Sequence, residues 1–204
     1  MDGNIALDLL STLFTGGTFA FLGFTGKKRY GTSLSDFALG NDPDSINDLP
    51  WTQYTSNNHP FTVALPGIPA IIKERNETDG ISVSDTLYTV HYRGITLWIQ
   101  VFGYPINQVD IMADPRPHLT VIKEILALEP EVSITCFDND LEFMGNPAAL
   151  IDIHRLFDKE QKSFHFLCFI RDNNLYELVA EGPVDSATEI DKAFSRLIDT
   201  FYFV

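Results

Sequence analysis

At 204 residues the chain suffices for one domain of ordinary size with an appendage, and its 45% hydrophobic and 12% aromatic content excludes wholesale disorder. Twenty-eight acidic against 14 basic residues leave a formal charge of −14; such a surface repels phosphate backbones and shows no Lys/Arg stripe, so no nucleic-acid partner is expected. Cys136 and Cys168 sit in apolar runs outside any CxxC pair, which makes buried thiols the expectation, leaves a bridge between them open and argues against zinc or redox chemistry.

Residues 1–30 form an apolar segment. Leu9 to Gly26 carries no charge, and Lys27, Lys28 and Arg29 follow at once. About 18 residues is near the lower limit for a helical span, so this N-terminal apolar helix is a candidate membrane anchor. The positive-inside rule then places the basic triplet, and the domain behind it, in the cytoplasm. A buried or peripheral helix and an export signal are the alternatives; Asp2 and Asp8 ahead of the apolar run disfavour the signal. Residues 31–58 are expected to be a linker. Asp42, Asp44 and Asp48 alternate there with Pro43 and Pro50, but lack the order of a calcium loop.

The domain is expected over residues 59–204. Phe61 to Leu65 reads as a strand closed by Pro66-Gly67. Ile81 to Tyr92 and Ile95 to Tyr104 follow as strands around an Arg93-Gly94 turn. In the second, Ile95, Leu97, Ile99 and Val101 share one face, and Thr96, Trp98, Gln100 and Phe102 the other. Asp114-Pro115 opens a helix as N-cap and first helical residue, with Leu119, Ile122, Ile125 and Leu126 inward and Pro130 past its end. Val132 to Phe137 is a strand, and Asp138-Asn139-Asp140 a turn. Three strands then form a meander, at about 149–157, 163–171 and 175–180. Ser186-Ala187-Thr188-Glu189 reads as a capping box, and Ile190, Ala193, Phe194, Leu197, Ile198 and Phe201 repeat at helical spacing behind it. Strands, helix, strands, helix is not βαβ alternation; the fold class is α+β, an antiparallel sheet flanked by helices.

Two resemblances accompany this reading. Phe61-Thr62-Val63-Ala64-Leu65-Pro66-Gly67-Ile68-Pro69 resembles the Phe-x-Val-x-Phe-Pro-Gly-x-Pro opening of small bacterial domains with the Mog/PsbP-like fold. Met144-Gly145-Asn146-Pro147-Ala148 resembles their Gly-x-Pro-Ala element. Leu175-Tyr176-Glu177-Leu178 and Phe194 to Phe203 are similar to their closing strand and final helix, over about 61–203 in all. The resemblance implies an α/β/α sandwich of a kind that serves as an accessory or binding subunit without chemistry of its own. Separately, Ser33-Leu34-Ser35-Asp36-Phe37-Ala38-Leu39-Gly40, with residues 7–41 around it, resembles the first span and following loop of sodium–solute symporters. The other spans of a transporter are missing, so transport is not implied.

No GxSxG, HExxH, GxxxxGK[ST] or GxGxxG arrangement occurs. His59, His91, His118, His154 and His165 are scattered. His154 and His165, with Asp152, fall on strands expected to pair, and whether they share a face depends on register. Asp138, Asp140 and Glu142 read as solvated carboxylates before acid–base groups. No catalytic residue, metal or cofactor is therefore expected. Trp98, Phe102 and Tyr104 share a strand face and are the candidate lining of a binding groove, with burial beneath a helix as the alternative. The expected function is a non-enzymatic accessory or partner-binding domain, membrane-tethered through its N-terminal segment. The alternatives are a small-ligand carrier or, behind it, an enzyme without a recognised motif, and a soluble cytoplasmic or exported location.

Overall fold

The computed structural model describes residues 50–78, 81–103, 115–157 and 159–204. Seven strands form the main sheet: β3 (Ala70–Thr78), β4 (Ile81–Tyr92), β5 (Ile95–Gly103), β6 (Val132–Phe143), β7 (Asn146–Phe157), β8 (Glu160–Arg171) and β9 (Asn174–Pro183). Their order is β3-β4-β5-β9-β8-β7-β6, every neighbour antiparallel. A smaller sheet joins β1 (Thr52–Thr55), β2 (Phe61–Leu65) and β10 (Tyr202–Phe203), with β2 between the other two. The helices are α1 (Arg116–Leu128) and α2 (Ala187–Thr200).

Tight turns set the registers of the large sheet. Arg93-Gly94 (φ 52° and 75°), Met144-Gly145 (52° and 76°) and Asp172-Asn173 (49° and 61°) each hold two left-handed residues. That is the type I′ geometry whose twist matches a hairpin. An added Cβ at Gly94 meets no atom within 4 Å, so Gly94→Ala tests backbone conformation alone. It is expected to lower stability by ~1 kcal/mol in urea titration, with no change in near-ultraviolet dichroism.

The sheet is covered on both faces. On the first, Ile95, Leu97, Ile99 and Val101 of β5 pack with Tyr176, Leu178, Phe169 and the α2 stripe Ile190, Ala193, Phe194 and Leu197, while Phe61, Val63 and Leu65 bring the small sheet onto the same core. On the second, Leu119, Ile122 and Leu126 of α1 pack with Ile151, Ile153, Phe164, Phe166 and Trp98. The central strands are apolar on both faces because both faces are buried.

Several expectations are corrected. Residues 52–55, within the expected linker, form β1 on β2. Ala70–Thr78, assigned to no element from sequence, is a nine-residue strand. Asp138-Asn139-Asp140 is not a turn: β6 runs through to Phe143 with register shifts at Ile134/Cys136 and Asp138/Leu141. The Asp140 amide donates to Asp138 Oδ1 (3.0 Å), and the Asn139 amide nitrogen donates to Thr120 Oγ1 on α1 (3.0 Å), so polar side chains anchor a bulge. The first helix caps at Pro115 with Pro117 in its first turn; Asp114 lies outside the described residues. The capping box does not form: Ser186 is the N-cap without a side-chain hydrogen bond, and a 3₁₀ turn over Val184–Ser186 leads into α2. Cys136 is exposed on β6, whereas Cys168 is buried, and both thiols are free. Among the described residues no helix is long and apolar enough to cross a membrane; the apolar segment 1–30 and the 7–41 resemblance lie outside them.

Candidate functional site

The alternation of β5 carries Trp98, Gln100 and Phe102 onto the second face of the sheet. Register supplies their neighbours. Gln100 lies opposite Leu87 of β4 and Glu177 of β9, Phe102 lies opposite Asp85 and Leu175, and Cys168 of β8 lies opposite Glu177. Asp85, Gln100 and Glu177 thus bring polar side chains together on this face. Asp85 and Gln100 are 6% and 2% exposed and Glu177 is fully buried. The Gln100 amide nitrogen donates to Asp85 Oδ2 at 2.9 Å. Asp85 Oδ1 and both Glu177 oxygens have no hydrogen-bond partner.

Burial dominates the electrostatics here. It pushes Asp85 from the usual 3.8 up to about 7; the Gln100 hydrogen bond opposes the rise, and the charge of Glu74, opposite Asp85 in register, adds to it. Burial also raises Glu177 well above the carboxylate range, reinforced by Asp85. The Cys168 thiol rises for the same reason, with Glu177 second, so it is no nucleophile near neutral pH. Such carboxyls can hold protons or receive a positive group.

Of the three candidate groove residues, Trp98 is 2% exposed and stands edge-on to Phe164 at 6.3 Å between ring centroids. Phe102 is half-buried beside the same core. Tyr104 lies outside the described residues.

A second cluster lies on the opposite face. Asp152 pairs directly with His165, and His154 with Ser163, so register brings Asp152, His154 and His165 to one face. His165 Nδ1 is 2.8 Å from Asp152 Oδ1, its Nε2 is 3.5 Å from Asp191 Oδ1 on α2, and its ring lies against Phe194. The hydrogen bond to Asp152 raises the His165 pKa above 6.5, the two carboxylate charges add to it, and burial opposes it. The ring ties α2 to the sheet.

Since His165 holds its proton more tightly folded than unfolded, its contribution is complete below about pH 6.5 and fades as pH rises through the folded value. His165→Asn is therefore expected to destabilise more at pH 6 than at pH 8, and Asp191→Asn to lower the His165 pKa read by NMR.

The other sequence candidates do not converge. His91 Nδ1 bonds Thr96 Oγ1 at 3.0 Å, and burial followed by the Lys162 charge lowers its pKa. His118 is buried on α1, and His59 packs edge-on against Tyr88. Asp138, Asp140 and Glu142 are exposed along β6. Among the described residues no group of three His, Cys, Asp or Glu side chains could hold a metal ion.

The large sheet ends on β3 and β6. The two register shifts break the β6 edge, and bulges discourage pairing with another chain. β3 keeps one unbroken register along β4 from Ala70 to Thr78. Ile71 and Lys73 are exposed on it, and Ile68, 92% exposed, stands just before it.

Two antiparallel sheets with a helix on each face of the larger one make an α+β fold similar to that of PsbP. The solution structure of cyanobacterial PsbP (CyanoP) from Synechocystis sp. PCC 6803 matches with TM-score 0.50 at 8% identity, over 78% of this chain and 95% of that one. LpqN of Mycobacterium tuberculosis, involved in cell envelope biogenesis, matches with TM-score 0.42 at 11% identity, over 84% of this chain and 96% of that one. PA94 of Pseudomonas aeruginosa, of unknown function, matches with TM-score 0.39 at 10% identity, over 71% and 91%. No family model and no curated protein matches the chain. At these identities the likeness concerns the fold, which does not carry function with it.

Proposed function

We propose that the chain is a non-catalytic accessory domain that binds a protein partner by accepting an extended segment on the edge of β3. The observation that carries this reading is the contrast between the two edges. β6 is interrupted twice, whereas β3 offers nine residues in unbroken register with Ile71 and Lys73 exposed on one side. Strand addition draws affinity from the main chain and specificity from alternate side chains. The fitting partner segment puts an apolar residue beside Ile71 and an acidic one beside Lys73, two positions on. The uncharged run 9–26 and its basic flank support a membrane tether, with the domain on the cytoplasmic side.

Hydrogen exchange on the full chain with a captured partner tests the reading. Protection over 70–78 is expected, together with at least tenfold weaker binding by Ile71→Glu at unchanged melting temperature. Unchanged exchange there, or wild-type binding by the variant, would overturn it. The tether predicts that the full chain sediments with membranes; if it stays in the supernatant without detergent, the tether is refuted.

A further inference from the structure

We propose that Asp85, Gln100 and Glu177, flanked by Trp98 and Phe102, form a binding site for a primary alkylammonium group. The site lies on the second face of the sheet and is independent of the β3 edge, so either reading can fail alone. Its warrant is Glu177. A side chain with no exposed surface and two partnerless carboxylate oxygens is rare in a folded protein, because a buried polar group without a partner is costly. Asp85 Oδ1 is partnerless as well, although Gln100 occupies Oδ2. The three orphan acceptors equal in number the three N–H donors of a primary ammonium, a group with no acceptor of its own to leave unsatisfied.

Other cations fit the donors less well. Calcium takes six to eight oxygens, and among the described residues no three ligating side chains gather for a metal ion. A compact ammonium accepts a small, hydrogen-bonding acidic site, and Trp98 and Phe102 offer aromatic surface on the same sheet face. Phe102 stands opposite Asp85 in register, and Leu87 opposite Gln100; both are half-buried, unlike the residues deeper on that face. A slender alkyl stem would reach the carboxylates past these two side chains. Burial raises both carboxyls, and the charge of a bound ammonium would oppose that rise and displace the proton Glu177 holds when the site is empty.

The test is thermal unfolding of the full chain at pH 8 with butylammonium chloride, set against butanol, sodium chloride and calcium chloride at matched ionic strength. A saturable rise in Tm is expected with butylammonium alone. Glu177→Gln, which keeps shape and removes the charge, should weaken the apparent affinity at least tenfold while remaining folded. Asp85→Asn should weaken it as well. The proposal is overturned if butylammonium gives no saturable shift, if butanol matches it, if calcium gives the larger saturable shift, or if Glu177→Gln responds as the wild type does.

Discussion

Asp85→Asn is expected to make the protein more stable at pH 8 and to flatten its stability between mildly acid and neutral pH. Asp85 is buried on the second face with one carboxylate oxygen unpartnered, and its pKa is raised from 3.8 to about 7. A carboxyl whose folded pKa lies above its unfolded value stabilises fully only below the unfolded value, and that stability is lost as pH rises through the folded one. A rise of this size costs roughly 4 kcal/mol once the carboxyl is ionised in both states. Over a third of that, roughly 1.5 kcal/mol, is lost between about pH 5.5 and pH 7, and little more above. Urea titrations across this range should therefore show wild-type stability falling towards neutrality more steeply than that of Asp85→Asn. Asparagine keeps an acceptor for Gln100 and never ionises. The His165 contribution declines with pH in the same direction, so the comparison is made within pairs that share His165. A wild type as stable at pH 8 as at pH 5.5, or a variant with an equal slope, would mean that Asp85 is not held in a desolvated site. Glu177→Gln should act in the same sense, but less than additively with Asp85→Asn, because the Asp85 charge is part of what raises Glu177.

The parts of the fold that periodicity marks were legible in the sequence. The alternation of β5 assigned its side chains to the correct faces because both sets pack. The α2 stripe was readable because Ile190, Ala193, Phe194 and Leu197 all enter one core. What escaped were elements defined by pairing. Lys73, Glu74 and Arg75 made β3 read as polar, since an edge strand needs few buried side chains. Asp138-Asn139-Asp140 has turn composition, yet the hairpin reverses at Met144-Gly145, and the polar triplet serves a bulge held through Thr120. Ser186 and Glu189 have capping-box spacing, but the chain enters α2 through a 3₁₀ turn that leaves the Ser186 hydroxyl without a cap hydrogen bond.

The acid pair was harder to read, although its signal was present. Glu177 is the one charged residue between Leu175 and Ala180, in a strand buried on both faces. An isolated acid in such a run has no solvated side to turn to. Reading it required knowing that β9 lies at the centre of the sheet, and that order comes from the β5–β9 pairing across the long stretch of chain between Gly103 and Asn174. Register likewise decided the histidines: Asp152 meets His165, while His154 meets Ser163.

The pairing that sequence could not supply also identifies a residue that joins the two sheets. Phe201 follows α2 as its C-cap and is 2% exposed. Its ring stacks on Phe61 of β2 at 5.2 Å, meets Phe203 of β10 edge-on at 5.3 Å, and approaches Phe169 and Phe143 of the large sheet at 5.9 and 6.1 Å. One side chain thus joins the small sheet, the large sheet and the helix end. Phe201→Ala should cost about 3–5 kcal/mol, because the hole is walled by strands of both sheets that cannot collapse into it together. For a domain of this size that lowers Tm by roughly 10 °C. Phe201→Leu, which refills most of the volume without the ring contacts, should recover more than half of the loss. The small sheet should loosen before the large one. In Phe201→Ala, hydrogen exchange over 52–65 and 202–204 should rise more than over 164–181, where β8 and β9 keep both their neighbours. A uniform rise across both sheets would show that they unfold as one unit, and a loss below about 1 kcal/mol would show that Phe201 does not join them.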